Sequence, residues 1–260
     1  MRTQFTEKQV DIKGDIICYW EGGLASGSIP IVFLPGWSVS FTPYQESLNA
    51  LAEHYQIIAP TLPGFGKSTS SKSLQNYQDY ADCIIDFLNE LNFEKVHIIG
   101  HSMGGAIAII IAASKPSLIS SLIVVDSTGI PLGTLPEVLG RRSIELTVEF
   151  LTTKIERVSR MTQSFLNNCL LNTGSVIQSA KICLEEDIRP LLAKIESPCL
   201  VLWAQNDMFI PLKMGQEFSQ AIKSSRLIVV EGESHELSMF RPEKFAPIIL
   251  DFIDGVEALR

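Results

Sequence analysis

The sequence predicts an α/β protein, built as a mostly parallel twisted sheet flanked by helices, with a helical insertion after the sixth strand. Short β-branched runs alternate with longer segments that carry apolar residues at helical spacing, as expected when crossover helices cover both faces of a parallel sheet. The 260 residues, 46% of them hydrophobic, with a mean hydropathy of +0.21, suffice for one large core. Between Pro131 and Pro190 the strand signal vanishes, and Leu151, Ile155, Val158, Met161 and Phe165 recur every three or four residues instead.

In chain order, the first strands fall at residues 4–12 and 16–20, close enough for a hairpin, and the third at 31–34. A helix at 44–54 leads to a strand at 56–59, and one at 77–91 to a strand at 96–100. The most apolar stretch, 96–113, is interrupted by His97, His101 and Ser102 and closed by Lys115. It reads as a buried strand and helix (103–114), not as a membrane span. A strand at 121–125 precedes the insertion. Strands at 199–204 and 226–230 follow it, with helices at 212–222 and 243–253. The division is therefore a core of 1–130 and 191–260 and a helical unit of 131–190. The serine-rich piece 68–73 is a loop, and the sequence contains no internal repeat.

The net charge of -8 and pI near 5.1 argue against nucleic acid and anionic membranes as partners. Residues 1–12 hold no apolar core of the signal-peptide kind. Cys18, Cys83, Cys169, Cys183 and Cys199 are odd in number and widely spaced, with no CxxC and no zinc pattern. They read as ordinary buried thiols in a reducing cytoplasm, with no metal site.

The chemistry is concentrated where Val96-His-Ile-Ile-Gly-His-Ser102 runs into Met103-Gly-Gly and a helix. This is a GxSxG turn between a buried strand and a helix, which holds its serine in a strained conformation at the sheet's carboxyl edge. Gly100 and Gly104 remove side chains that would clash there. The helix that begins at Met103 aims free N–H groups at the place where negative charge develops.

A serine hydroxyl needs a proton acceptor, and His235, in the loop after the last strand, is the candidate among four histidines. His54 ends a surface helix, while His97 and His101 read as packed scaffold residues. Asp207, after the strand 199–204, is the candidate acid that orients the histidine, in the chain order Ser, Asp, His. Asp126, at the end of another strand, is its rival. Trp37, in Phe33-Leu-Pro-Gly-Trp-Ser38 after the third strand, and Met103 are the candidate oxyanion donors through their backbone N–H groups. The rings of Trp37 and Phe165 are the candidate substrate-binding groups.

With these residues in view, the chain resembles the α/β-hydrolase superfamily over nearly its whole length. The resemblance is carried by Pro35-Gly-Trp37, Leu62-Pro-Gly-Phe-Gly-Lys-Ser68, Gly100-His-Ser-Met-Gly-Gly105, Gln205-Asn-Asp207 with Pro211, and His235 followed by Phe240-Arg-Pro-Glu243. It departs from many members at Leu34-Pro35-Gly36, where they have His-Gly. Members with an aspartate nucleophile are disfavoured by Ser102. Within the superfamily the chain is similar to the lid-bearing carboxylesterases, a group that includes the esterase for pimeloyl-carrier-protein methyl ester. The resemblance implies that 131–190 is a lid supplying much of the substrate pocket. Arg141, Arg142, Arg157 and Arg160 fall there and would suit an acidic carrier protein or a carboxylate-bearing acyl chain. The plainer alternative is a solvated helix face salted with Glu145, Glu149 and Glu156.

The expected function is hydrolysis of a small carboxylic ester through an acyl-enzyme, with no cofactor. The alternatives are a carbon–carbon bond hydrolase with the same triad and a hydrolase-fold receptor for a small molecule.

Overall fold

The computed structural model describes residues 4–24 and 28–259. Strands β1 (Thr6–Ile12), β2 (Asp15–Gly23), β3 (Ile31–Leu34), β4 (Gln56–Pro60), β5 (Val96–His101), β6 (Ile119–Val125), β7 (Cys199–Ala204) and β8 (Ser225–Val230) form one sheet in the order β1-β2-β4-β3-β5-β6-β7-β8. β1 with β2 and β2 with β4 are antiparallel, and every later pairing is parallel. The helices are α1 (Phe41–Ala52), α2 (Tyr77–Glu90), α3 (Met103–Ser114), α4 (Leu135–Thr152), α5 (Ile155–Leu171), α6 (Thr173–Glu185), α7 (Arg189–Leu192), α8 (Leu212–Ala221), α9 (Leu237–Phe240) and α10 (Pro242–Glu257).

Successive strand residues point to opposite faces of the sheet, and the core divides accordingly. Leu122, Val124, Val201 and Trp203 pack with α2, α3 and α8, whereas Ile123, Val125, Leu200 and Leu202 pack with α1 and α10. β3, β5, β6 and β7 are buried at every residue, which explains why β3 and β7 read as continuous apolar runs with no alternation, while β5 and β6 also bury His97, His101, Ser120 and Ser121. α3 is buried along nearly its whole length and is apolar all round.

Some boundaries differ from the sequence reading. α1 begins at Phe41, ahead of the expected residue 44, because Pro43 sits in its first turn, where a missing N–H costs nothing. α10 likewise opens on Pro242 and runs on to Glu257. The short helices α7 and α9 carry too few residues for a periodic signal.

Between β6 and β7 the chain forms α4, α5, α6 and α7. The stripe from Leu151 to Phe165 is divided between two helices, since the chain breaks at Thr153 and Lys154. Leu151 and Ile155 are 77% and 59% exposed, while Val158, Met161 and Phe165 face inward. All five cysteines are free thiols, with Cys83 and Cys169 only half-buried. No helix among the described residues is long and apolar enough to cross a membrane.

Candidate active site

β5 ends at His101 and α3 begins at Met103, so the chain reverses on Ser102, whose φ of 54° and ψ of -118° lie in the left-handed half of conformational space. Two glycines permit the crossing. A Cβ on Gly100 would lie 2.2 Å from the Gly104 carbonyl oxygen, and one on Gly104 would lie 2.3 Å from that of Leu34. The strained residue is held by backbone bonds on both sides. Its N–H donates to Val125 O at 2.9 Å, and its carbonyl accepts from the N–H groups of Gly105 at 3.0 Å and Thr128 at 3.2 Å.

His235 and Asp207 stand on the turns after β8 and β7, at the same carboxyl edge. The His235 Nδ1–H donates to Asp207 Oδ2 at 2.8 Å, and Asp207 Oδ1 accepts from the Ile210 N–H at 2.6 Å. Both side chains are buried. Burial pulls the imidazole pKa down, but the charge and hydrogen bond of Asp207 outweigh it and hold His235 above the ordinary histidine value. Asp126, the rival acid, is turned elsewhere: its Oδ1 accepts from the Ala204 N–H at 2.8 Å. Burial, and then the nearby Asp207 charge, push the Asp126 carboxyl well above its usual range.

His97 bonds through Nδ1 to Ser121 Oγ at 2.8 Å and lies 3.2 Å from Glu257, and His54 is exposed after α1. His101 is buried in a relay that the sequence did not reveal. The Gly36 N–H donates to the Tyr44 hydroxyl at 2.9 Å, Tyr44 lies 2.8 Å from His101 Nδ1, and His101 Nε2 lies 3.0 Å from the His235 carbonyl. Because that carbonyl only accepts, the His101 proton sits on Nε2, and Tyr44 donates to Nδ1. Burial, reinforced by the charge of His235, holds the His101 pKa well below normal, in keeping with a neutral ring. The chain thereby ties the loop after β3 to the histidine turn.

Ser102, His235, Gly36, Trp37 and Phe165 line one cavity of about 610 Å³, whose wall is largely apolar and includes Val138, Leu146, Met161, Cys183 and Phe209. The Trp37 indole N–H donates to Val176 O at 3.1 Å and Ser179 Oγ at 3.0 Å on α6, and its ring meets Phe165 edge-on, with centroids 5.5 Å apart. Met103 is the first residue of α3, where a backbone N–H has no partner within the helix.

The four arginines do not form a free basic patch. Arg142 donates to Glu145 at 3.0 Å and to Glu236, and its guanidinium stands 5.2 Å over the Phe209 ring. Arg157 and Arg160 both pair with Glu46 on α1, and Arg141 donates to Leu132 O at 2.7 Å. The alternative of a solvated face fails for Glu145 and Glu149, which are 2% and 6% exposed. Both turn inward against the histidine turn. Tyr44 and Glu236 are buried polar residues of this region that the sequence reading leaves out, and Glu145 and Glu149 it places on a solvated face, since none of the four belongs to a motif.

A mostly parallel sheet with a buried serine on a strand-to-helix elbow and a histidine–carboxylate pair at the same edge defines the scaffold of a hydrolase. The chain matches the alpha/beta hydrolase family over residues 31–248, and it belongs to that family. It is 26% identical to a pimeloyl-[acyl-carrier protein] methyl ester esterase of Vibrio campbellii, over 85% of this chain and 93% of that one. It is 24% identical to an (E)-2-((N-methylformamido)methylene)succinate hydrolase of Acinetobacter baylyi, over 83% and 86% respectively. A thermophilic esterase from Thermogutta terrifontis superposes with a TM-score of 0.79 at 21% identity, covering 97% of this chain and 99% of the other.

Proposed function

We propose that this hydrolase cleaves a small carboxylic ester through an acyl-enzyme, with Ser102 as nucleophile, His235 as base and Asp207 as the group that orients His235. The observation that carries the reading is the buried 2.8 Å bond between His235 Nδ1 and Asp207 Oδ2. It fixes the tautomer and leaves Nε2 as the basic nitrogen, in a ring that shares a cavity wall with Ser102.

In the first half-reaction Ser102 Oγ bonds to the ester carbon as its proton passes to His235 Nε2. The backbone N–H groups of Trp37 and Met103 receive the oxyanion. The tetrahedral intermediate collapses with loss of the alcohol, which takes the proton back from His235. Water then adds to the acyl-serine, gives its proton to His235, and the acid departs as Ser102 is reprotonated. General-base assistance contributes about 10²- to 10⁴-fold, and each oxyanion donor about 10²- to 10³-fold.

The segment 131–190 acts as a lid, since α4 and α5 supply cavity-lining residues such as Val138 and Met161. An apolar wall favours a hydrocarbon acyl or aromatic group over the polar diketone of a carbon–carbon hydrolase. A carrier-bound substrate draws support from the name of the Vibrio relative. Against it, Arg142, Arg157 and Arg160 are already paired within the chain, so a free small ester is the preferred substrate.

A fluorophosphonate probe tests the reading. The wild type is expected to label with loss of p-nitrophenyl ester turnover, and Ser102→Ala to do neither. Labelling or turnover that persists in Ser102→Ala removes the serine from the mechanism.

A further inference from the structure

Three side chains of α4 grip the histidine turn at consecutive residues. Arg142 donates to Glu236, Glu145 accepts from the His235 N–H at 3.0 Å, and Glu149 accepts from the Ser234 hydroxyl. The spacing 142, 145, 149 places them on one face of the helix, so a single helix edge reads the turn residue by residue. Glu145 does more than its neighbours. The same Oε1 that accepts from His235 also accepts from the Met208 N–H at 3.3 Å, and its Oε2 takes a 3.0 Å bond from Arg142. Met208 directly follows Asp207. One carboxylate oxygen therefore bridges the base's own amide and the amide next to the acid.

We infer that Glu145 is a positioning residue for the reaction, a clamp from α4 that sets the histidine turn and the acid turn in register. The inference rests on the proposed roles of His235 and Asp207. Burying a carboxylate is costly, and an apolar side chain would pack this helix at least as well. An apolar residue at 145 would, however, leave the His235 and Met208 amides with no acceptor there, and the two turns would then be joined by the Asn206 N–H to Glu233 O bond, the Gly232 N–H to Gln205 bond and the His235–Asp207 bond itself. Because α4 also walls the cavity through Val138 and Leu146, seating this helix on a bound substrate and aligning the base become the same event.

The test compares Glu145→Ala, Glu145→Asp and Glu145→Gln in the full-length enzyme. The readouts are kcat and KM on a short p-nitrophenyl ester, the fluorophosphonate labelling rate, and thermal melting to verify folding. Removing the acceptor in Glu145→Ala is expected to lower kcat and the labelling rate together by about 10- to 100-fold, as small misplacements of reacting groups do. KM should change little. Glutamine keeps an acceptor oxygen at the same reach and is expected to recover most of kcat, while aspartate, one methylene shorter, should recover less. A folded Glu145→Ala enzyme with wild-type kcat overturns the inference, as does a glutamine variant no better than alanine. If Glu145→Ala does not fold, the order of glutamine above aspartate carries the test, and aspartate equal to or above glutamine overturns it. Ser102→Ala, run in parallel, separates the two claims: turnover that survives in it defeats the serine mechanism itself, whereas an inactive Ser102→Ala beside an unimpaired Glu145→Ala defeats only the clamp.

Discussion

Asp207 divides its two oxygens, one on the His235 ring and one on the Ile210 amide, so the turn and the imidazole are fixed by the same group. In Asp207→Asn the amide can keep one of these bonds but presents the wrong partner for the other. The proton then moves to His235 Nε2, the nitrogen that must accept. Turnover is expected to fall by about 10⁴-fold, whereas Asp126→Asn, which keeps an acceptor for the Ala204 N–H, should retain it. The pH profile supplies the sign. The base must be neutral, and Asp207 holds the imidazolium against deprotonation, so kcat/KM should rise with pH through a limb above about 6.5, the ordinary histidine value. In Asp207→Asn the raising charge is gone and burial remains, so the residual activity should show its limb at lower pH. A limb that stays in place would dissociate Asp207 from His235. That Ser102, Asp207 and His235 meet at one edge of the sheet was legible because each lies in the turn that follows a strand, β5, β7 and β8 respectively. Glu145 was not, because its role depends on the phase of α4 and on a turn 90 residues away.

The junction of β5 with α3 shows how closely an element's sequence is bound to its neighbours. Gly104 lies in the first turn of α3, against the carbonyls of Leu34 and Pro35 at the end of β3. Gly104→Ala would force its methyl onto backbone atoms that cannot rotate away. It is expected to destabilise the protein by about 1–3 kcal/mol, readable as a lower midpoint in denaturant, and an unchanged midpoint would mean that the elbow relaxes freely. The parallel strands were legible to within about two residues, since buried parallel strands are short and largely apolar, whereas the antiparallel β2 runs three residues past its expected end. Helix ends were less so, as Pro43 and Pro242 permit starts that a periodic pattern does not mark. In the helical segment the repeat from Leu151 to Phe165 reads as one stripe. The break at Thr153 turns it into an exposed end of α4 and a cavity wall from α5.

The sequence discloses the class of the whole molecule but not its neighbour relations. That β2 lies beside β4, and β3 beside β5, follows from long-range pairing that local residue choice does not encode. The same holds for the relay from Gly36 through Tyr44 and His101 to the His235 carbonyl, which joins chain segments that only the assembled sheet brings together. The backbone of Ser102 shows what that assembly has to overcome. A non-glycine residue held at φ 54° and ψ -118° costs the native state about 1–3 kcal/mol, and the surrounding hydrogen bonds keep it there. Glycine would adopt those angles without side-chain strain, and its extra entropy loss of about 0.5–1 kcal/mol offsets only part of that relief, so Ser102→Gly should melt at a higher temperature than the wild type while losing its reactivity. Thermal stability and the reactivity proposed for Ser102 therefore pull in opposite directions at this one residue, and a stabilised Ser102→Gly protein would show that the elbow's tension is local.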